Sequence, residues 1–397
     1  KQPVNRRALQ KDLESKYEDQ TLAVYPAPLA PHPWPYPFPM DREAGIQAYE
    51  AMIGADEYKA RLAAGETDVV HRYAVPNIED APVVRVELAK VEAMTSDVTK
   101  YEFTSLDGTD LPKWSAGAHL DIVVAPEFLR QYSMSGDPAD RSKFQVGVLR
   151  EDEGRGGSLL MHRIFQEGRK VFISKPINHF ELEENATKTF LMGGGIGITP
   201  MIAFAHRLHS LGRDFELHYS ASKKEGAGFL DDLANVPWVD NVHLHFSDQG
   251  TRADFDQIML GYQHGWHVYT CGPDRFMEGV TEAAERQGFP EEARHLEYFS
   301  VPEQPDYENH DFTVRLSKSG RDLQVPAEKN LSDVLIENGF HIDVKCSDGI
   351  CGVCQCGLVS GEVEHRDFVL SNKKRETSII TCQSRAAAPD GMIVIDL

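Results

Sequence analysis

Four cysteines of the chain have the spacing of an iron–sulfur site. They form the pattern C-x4-C-x2-C-x27-C, and the residues are Cys346, Cys351, Cys354 and Cys382. This is the plant-type spacing for a [2Fe–2S] cluster, and Gly349 and Gly352 would let the loop backbone approach the sulfides. Zinc is the alternative, but zinc sites usually pair two C-x2–4-C knuckles, and the second knuckle is absent from the sequence. We expect Cys356 to be a buried residue that does not ligate.

A glycine-rich loop follows an apolar strand pattern and precedes a helical pattern. Its candidate binding residues are Gly194, Gly195, Ile196, Gly197 and Thr199. Backbone N–H groups at a helix start suit a dinucleotide pyrophosphate. The fingerprint is imperfect, because Pro200 stands where the third glycine or alanine belongs and no acid ends the second strand. A Walker A loop is excluded, because no Gly-Lys-Ser/Thr follows. On this loop alone, nucleotide binding and a structural turn both stay open.

A later strand of the same region ends in Cys271, Gly272 and Pro273. Ligands of open α/β sheets bind beyond the carboxyl ends of the strands. Two glycine-bearing strand ends in one domain therefore favour a nucleotide site between them. The alternative for Cys271 is a small buried residue, which is common for cysteine.

Two further motifs together indicate a flavin site. One candidate strand ends in Arg130, Gln131, Tyr132 and Ser133, and a glycine loop before a helix contributes Gly156, Gly157 and Ser158. A flavin needs an aromatic face, a donor near N5, and positive charge with N–H groups for its phosphate. Either motif alone is weak, since Arg-x-Tyr-Ser can end any strand. Their occurrence within one candidate barrel predicts the flavin.

Three patterns of secondary structure would position these residues. Short alternating runs over residues 81–184 predict an antiparallel β-barrel. Strands alternate with helices over 185–300, which predicts an α/β domain with a parallel sheet. A linker at 301–310 precedes a strand pair, a helix, the cysteine loop and a closing strand over 311–397. Residues 1–80 combine a proline-rich strap with a helical pattern, so we expect an irregular and helical arm for packing or docking.

Composition and charge limit the partners. The 397 residues carry 62 acidic and 41 basic side chains, for a net charge of -21. This acid excess argues against nucleic acid and anionic membranes as partners. No apolar run reaches the roughly 18 residues of a spanning helix, and the clustered cysteines indicate a metal site in a reducing compartment rather than disulfides. We therefore expect a cytoplasmic protein.

The order of the motifs closely resembles the phthalate dioxygenase reductase family, to which vanillate demethylase reductases are related. The resemblance rests on R-x-Y-S, GRGGS, GGGIGITPM, CGP and the cysteine pattern, and it covers residues 83–397. It implies a flavin barrel, an NAD domain and a C-terminal β-grasp [2Fe–2S] ferredoxin domain. It also implies FMN rather than FAD, NADH as the donor and a Rieske-type oxygenase as the acceptor.

The resemblance further implies a role for each motif. Arg130 would hold the flavin phosphate, Tyr132 would pack on the isoalloxazine, and Cys271 would lie beside the nicotinamide. The residues implied to act nearest the chemistry are Ser133, Cys271, Glu297 and Phe299. Where relatives often carry an acid after the second strand, this chain has Ser222, Lys223 and Lys224. Hydroxyl and basic groups suit a 2′-phosphate, so NADPH also stays open as a donor.

The sequence thus predicts an NAD(P)H-dependent reductase. It would take a hydride onto flavin and pass single electrons through the cluster to a partner oxygenase. Two alternatives stay open, an NAD(P)H oxidase or general electron-transfer flavoprotein, and a non-catalytic, zinc-stabilised nucleotide-binding regulator.

Overall fold

The computed structural model describes residues 83–125, 128–152, 156–301, 307–344 and 347–397. The arm predicted over residues 1–80 and the predicted ligand Cys346 lie outside the described residues. The described chain forms two compact units, which divide between His295 and Leu296. The domain boundaries expected from the sequence stay predictions. No helix in the described part of the chain is long and apolar enough to cross a membrane.

The first unit begins with an antiparallel barrel. Its elements are β1 (Val83–Ala93), β2 (Val98–Ser105), β3 (Ala118–Ala125), β4 (Phe128–Ser133), β5 (Phe144–Leu149), α1 (Gly157–Ile164), β6 (Lys170–Ser174) and β7 (Ile177–Asn178). The strand order is β4-β3-β6-β1-β2-β5, with β7 paired to β3, and the pairings are antiparallel. Alternate side chains point inwards, so Tyr101, Phe103, Ile122 and Val146 fill the near-closed barrel. The barrel prediction is confirmed.

A parallel sheet follows the barrel in the chain. Its elements are β8 (Lys188–Gly194), α2 (Ile198–Ser210), β9 (Phe215–Ala221), α3 (Leu230–Ala234), β10 (Val242–Phe246), α4 (Phe255–Ile258), β11 (Trp266–Cys271), α5 (Asp274–Arg286) and β12 (Arg294–Glu297). The order is β10-β9-β8-β11-β12, and β10, β9, β8 and β11 run parallel. Apolar residues of α2 such as Phe204 pack on one face with Leu217, and Val280 of α5 packs on the other with Phe190. This confirms the α/β prediction.

The second unit is built on a mixed five-stranded sheet. Its elements are β13 (Phe312–Leu316), β14 (Asp322–Val325), α6 (Leu331–Glu337), β15 (Gln355–Ser360), β16 (Val363–Glu364), α7 (Asn372–Arg375), β17 (Ser378–Ile380), β18 (Arg385–Ala386) and β19 (Met392–Ile395). The order is β14-β13-β19-β15-β17, with β16 and β18 as a separate pair. β13 and β19 are parallel, and α6 packs Leu331 and Leu335 on the core with Phe312 and Ile393. The arrangement is the β-grasp that the resemblance implied.

Candidate cofactor sites

The end of β4 and the start of α1 form an anion cradle. A Cβ on Gly157, the first residue of α1, would lie 2.3 Å from Nε of Arg130. The guanidinium therefore packs against the helix start in space that only glycine leaves open. The first turn of α1 has no acidic residue, so the guanidinium and the helix N–H groups together favour a negatively charged group. This geometry fits the predicted flavin phosphate.

Tyr132 supplies a second observation that fits a flavin. Its ring packs against the barrel core, and its hydroxyl is buried without a hydrogen-bond partner among the described residues. Burial raises the pKa of Tyr132 above its usual value, so the hydroxyl stays protonated at neutral pH. A buried donor left unpaired costs roughly 1–3 kcal/mol. A cofactor oxygen that accepts this hydrogen bond would remove the cost.

The other predicted flavin residues lie on β4 and at the start of α1. Ser133 is buried at the end of β4, and Gly156 is the N-cap of α1. The hydroxyl of Ser158 accepts a hydrogen bond from the N–H of Glu151 at 3.1 Å. The amide of Gln131 instead donates to Oδ1 of Asp121 at 3.1 Å, so its side chain is engaged with the barrel wall. The flavin contacts of these residues stay predictions.

The glycine loop and the Cys271 strand end are in contact. β8 and β11 are neighbours, and their register pairs Gly193 with Cys271. A Cβ on Gly197 would lie only 2.1 Å from the carbonyl oxygen of Cys271. The hydroxyl of Thr199 donates to the carbonyl of Ile196 at 3.0 Å, inside the same turn. The structure thus brings together the two segments predicted to bind the nucleotide, while the fully buried Cys271 leaves its nicotinamide contact a prediction.

A contact between the barrel and the glycine loop was not predicted. Gly147 of β5 packs against the ring of Phe229 and the methyl group of Thr199. A Cβ at this position would lie 2.6 Å from the ring and 2.9 Å from the methyl carbon. Phe229 adopts a left-handed φ of 64°, which no sequence pattern indicates. The flavin-bearing barrel and the nucleotide loop therefore meet at Gly147 within the first unit.

The residues expected to determine the preference for NADH or NADPH lie on the surface after β9. Ser222, Lys223 and Lys224 are all exposed. The carbonyl of Ser222 accepts a hydrogen bond from the N–H of Asp248 at 3.1 Å, which fixes the start of the turn. The two ammonium groups remain accessible to a negatively charged ligand.

The cysteine loop and the segment with the distant ligand are joined in the second unit. Three of the four predicted ligands are described, and all are buried: Cys351, Cys354 and Cys382. Thr381 donates from its hydroxyl, at 3.0 Å, and from its N–H, at 3.3 Å, to the carbonyl of Cys354. Cys354 and Cys382 share one apolar cluster, whereas Cys356 packs on the separate main core. This placement fits the ligand prediction and the prediction that Cys356 does not ligate.

An aromatic pair lies beside the cysteine loop and was missed by the sequence analysis. The rings of Tyr298 and Phe368 have centroids 5.4 Å apart, and the N–H of Phe368 donates to the carbonyl of Gly349 at 3.1 Å. Tyr298 therefore connects the segment after β12 to the loop that would hold the cluster. Its neighbours Glu297, the last residue of β12, and Phe299, which is 43% exposed, keep their flavin roles as predictions.

Comparison with known proteins gives consistent matches. Residues 314–387 match the family of 2Fe-2S iron-sulfur cluster binding domains. The tert-butanol monooxygenase / tert-amyl alcohol desaturase reductase subunit of Aquincola tertiaricarbonis is 38% identical over 76% of this chain and 92% of its own length. The vanillate O-demethylase oxidoreductase of Pseudomonas sp. (strain HR199 / DSM 7063) is 35% identical over 79% of this chain and all of its own length.

Two solved structures share this architecture. An intact type IV self-sufficient cytochrome P450 monooxygenase matches with a TM-score of 0.72 and 33% identity over 85% of this chain, which spans only 44% of that longer chain. Phthalate dioxygenase reductase, described as a modular structure for electron transfer from pyridine nucleotides to [2Fe–2S], matches with a TM-score of 0.57 and 35% identity over 79% of this chain and 98% of its own. From its matched length, its three folds and its motifs, the chain belongs to the phthalate dioxygenase reductase family of oxidoreductases.

Proposed function

We propose that this chain is the reductase component of an oxygenase system and takes electrons from NADH. When bound, FMN supplies the exchange between a two-electron hydride donor and the one-electron [2Fe–2S] carrier. The contact of Gly147 with Thr199 is the observation that carries the proposal. Hydride transfer needs the nicotinamide and the flavin side by side, and this contact joins the barrel that carries the predicted flavin residues to the predicted nucleotide loop.

The chain's own residues bind and orient the cofactors. Arg130 and the start of α1 would hold the flavin phosphate, and the buried hydroxyl of Tyr132 would donate a hydrogen bond to the cofactor. N–H groups of the glycine loop would bind the nucleotide pyrophosphate, and the close approach of Gly197 to Cys271 holds that loop against the end of β11. Hydride transfer needs no proton relay, so no acid or base is assigned.

The absorbance of the purified protein tests this proposal. The purified protein should show flavin and iron–sulfur absorption, and anaerobic mixing with NADH should bleach both. A colourless protein would support the zinc-stabilised regulator instead. Rapid oxygen consumption with NADH and no acceptor would support the oxidase.

A Rieske-type oxygenase is the proposed acceptor, since relatives of full matching length include vanillate O-demethylase and phthalate dioxygenase components. A cytochrome P450 is the second candidate. Two P450 monooxygenase structures match 85% and 86% of this chain with TM-scores of 0.72 and 0.71, against 79% and 0.57 for phthalate dioxygenase reductase. Anaerobic reduction of each acceptor by the NADH-treated protein, followed by the Rieske cluster's EPR signal or the P450 carbon monoxide band, decides between them.

A further inference from the structure

Three histidines and a glutamate lie on one face of the parallel sheet at its outer edge. β10 is the edge strand, and its register with β9 pairs His243 with His218 and His245 with Ser220. Glu216 precedes His218 by two residues on β9. Since strand residues two apart share a face, these four side chains point to the same side of the sheet. None of the four is among the residues that the proposed function uses.

Glu216, His218 and His245 form a connected polar network, and His243 stacks on it. His218 Nε2 lies 3.1 Å from Glu216 Oε2, and its Nδ1 lies 3.1 Å from Nε2 of His245. Nδ1 of His245 lies 3.2 Å from the carbonyl oxygen of Thr251. The ring of His243 stacks on His218 at 4.6 Å between centroids. His218 is only 4% exposed, so its ring nitrogens depend on these partners.

With both rings neutral, one arrangement of ring protons satisfies these contacts. A carbonyl oxygen only accepts, so Nδ1 of His245 donates to Thr251 and its Nε2 is an acceptor. Nδ1 of His218 must then donate to that acceptor. In a neutral imidazole, Nε2 of His218 is left with a lone pair that faces the carboxylate of Glu216. Two acceptors 3.1 Å apart repel each other, so the pair requires a cation between them, either a proton or a metal ion.

We propose that Glu216, His218 and His243 bind a divalent transition-metal ion of the zinc class at the edge of this sheet. One ligand atom from each of the three residues lies within 4.8 Å of the others. A ring nitrogen binds a metal in the plane of its ring, so the exposed His243 ring must turn out of its stack on His218 to bind the ion. Neighbouring ligands of a tetrahedral zinc ion are about 3.4 Å apart for metal–ligand bonds of about 2.1 Å, close to the Glu216–His218 separation. Two nitrogens and a carboxylate oxygen form a common zinc donor set, with water in the fourth position.

The surroundings support the three ligands. His245 fixes the tautomer and orientation of His218, as outer hydrogen-bond partners of metal-bound histidines usually do. Nζ of Lys188 lies 2.6 Å from Oε1 of Glu216, which leaves Oε2 for the metal. The ammonium group opposes the ion's charge and lowers the affinity. An ion shared by β9 and β10 would tie the edge strand to the sheet, so metal binding should stabilise the folded unit.

Metal retention by the flavin- and cluster-loaded full chain tests the proposal. After incubation with zinc and gel filtration, the protein should keep one zinc ion per chain by elemental analysis. His243→Gln and Glu216→Gln should each lose at least nine-tenths of that zinc while the iron content is unchanged. His209→Gln, at an exposed histidine on α2, is the matched control and should keep both metals.

Two results would overturn the proposal. One is equal zinc retention by the wild type and the His243→Gln, Glu216→Gln double variant. The other is no zinc retained by the wild type; 15N resonances that show both His218 nitrogens protonated would then identify a proton as the cation. Unchanged iron in every variant separates this test from the proposed reductase function.

Discussion

Alanine in place of Gly197 should damage the nucleotide site with little effect elsewhere. The added Cβ would lie 2.1 Å from the carbonyl oxygen and 2.3 Å from the carbonyl carbon of Cys271. Both are backbone atoms of β11, so no flexible side chain can move aside. Real Cβ atoms essentially never come closer than 3.0 Å to such neighbours. The glycine loop or the end of β11 must therefore shift by at least 0.9 Å, from 2.1 Å to 3.0 Å.

The size of this shift sets the expected loss. A misplacement of about 1 Å at a reacting centre costs about 100-fold in rate, which corresponds to about 2.7 kcal/mol of activation free energy. We expect the hydride-transfer rate of Gly197→Ala at saturating NADH to fall by about this factor. Anaerobic stopped-flow absorbance of the flavin band measures it. Gly226→Ala is the matched control, because a Cβ at Gly226 has no neighbour within 4 Å.

A wild-type rate for Gly197→Ala at saturating NADH would refute the reasoning, since it would mean that the nucleotide does not depend on this strand contact. Transfer from chemically reduced flavin to the cluster should stay normal in the variant. A loss of that second step would show general damage to the fold rather than to the nucleotide site.

Four further changes test the other sites. Gly157→Ala would push against the Arg130 guanidinium and should weaken FMN retention at least tenfold, about 1.4 kcal/mol, measured by equilibrium dialysis. Cys354→Ser should remove the cluster's visible absorption, whereas Cys356→Ser should keep it. Lys223→Ala should lower kcat/KM for NADPH roughly fivefold and leave that for NADH unchanged, because an exposed ion pair contributes about 1 kcal/mol at most. Burial lowers the pKa of His295 to about 4 from 6.5, so the unfolded chain binds the extra proton first as pH falls. Between pH 7 and pH 5 the urea-unfolding free energy of the wild type should therefore fall by about 2 kcal/mol more than that of His295→Phe, because the other buried histidines contribute equally in both proteins.

The parts of the fold that follow from periodicity were predictable from the sequence. Alternating runs predicted the barrel, and alternation of strands with helices predicted the parallel sheet. The contact between the glycine loop and the strand end at Cys271 followed from one topological rule, that neighbouring parallel strands end at the same edge. The spacing of the cysteines predicted a loop joined to a distant segment, and the bonds of Thr381 to Cys354 supply that connection.

Contacts between remote side chains were not predictable in the same way. The approach of Phe229 to Gly147 depends on a left-handed backbone conformation at a phenylalanine, which local preferences disfavour. The contact of the Tyr298 ring with Phe368 depends on how separate segments meet. The histidine network could have been predicted from the sequence, because E-x-H in β9 and H-x-H in β10 place their polar residues on one face of the sheet. That period of two was not used above to predict a site.

The two units carry different steps of the proposed chemistry, so a defect in one unit should stop only its own step. The contacts named for the flavin phosphate and the nucleotide loop, at Gly157 and Gly197, lie in the first unit, and the described cluster ligands lie in the second. A defect at Gly197 should therefore stop hydride entry while leaving a cluster that chemical reductants can still reduce. Loss of Cys354 should leave a flavin that NADH reduces but that cannot pass single electrons onward. If either variant lost both activities, the two steps would depend on a shared structural element, and the assignment of one step to each unit would be wrong.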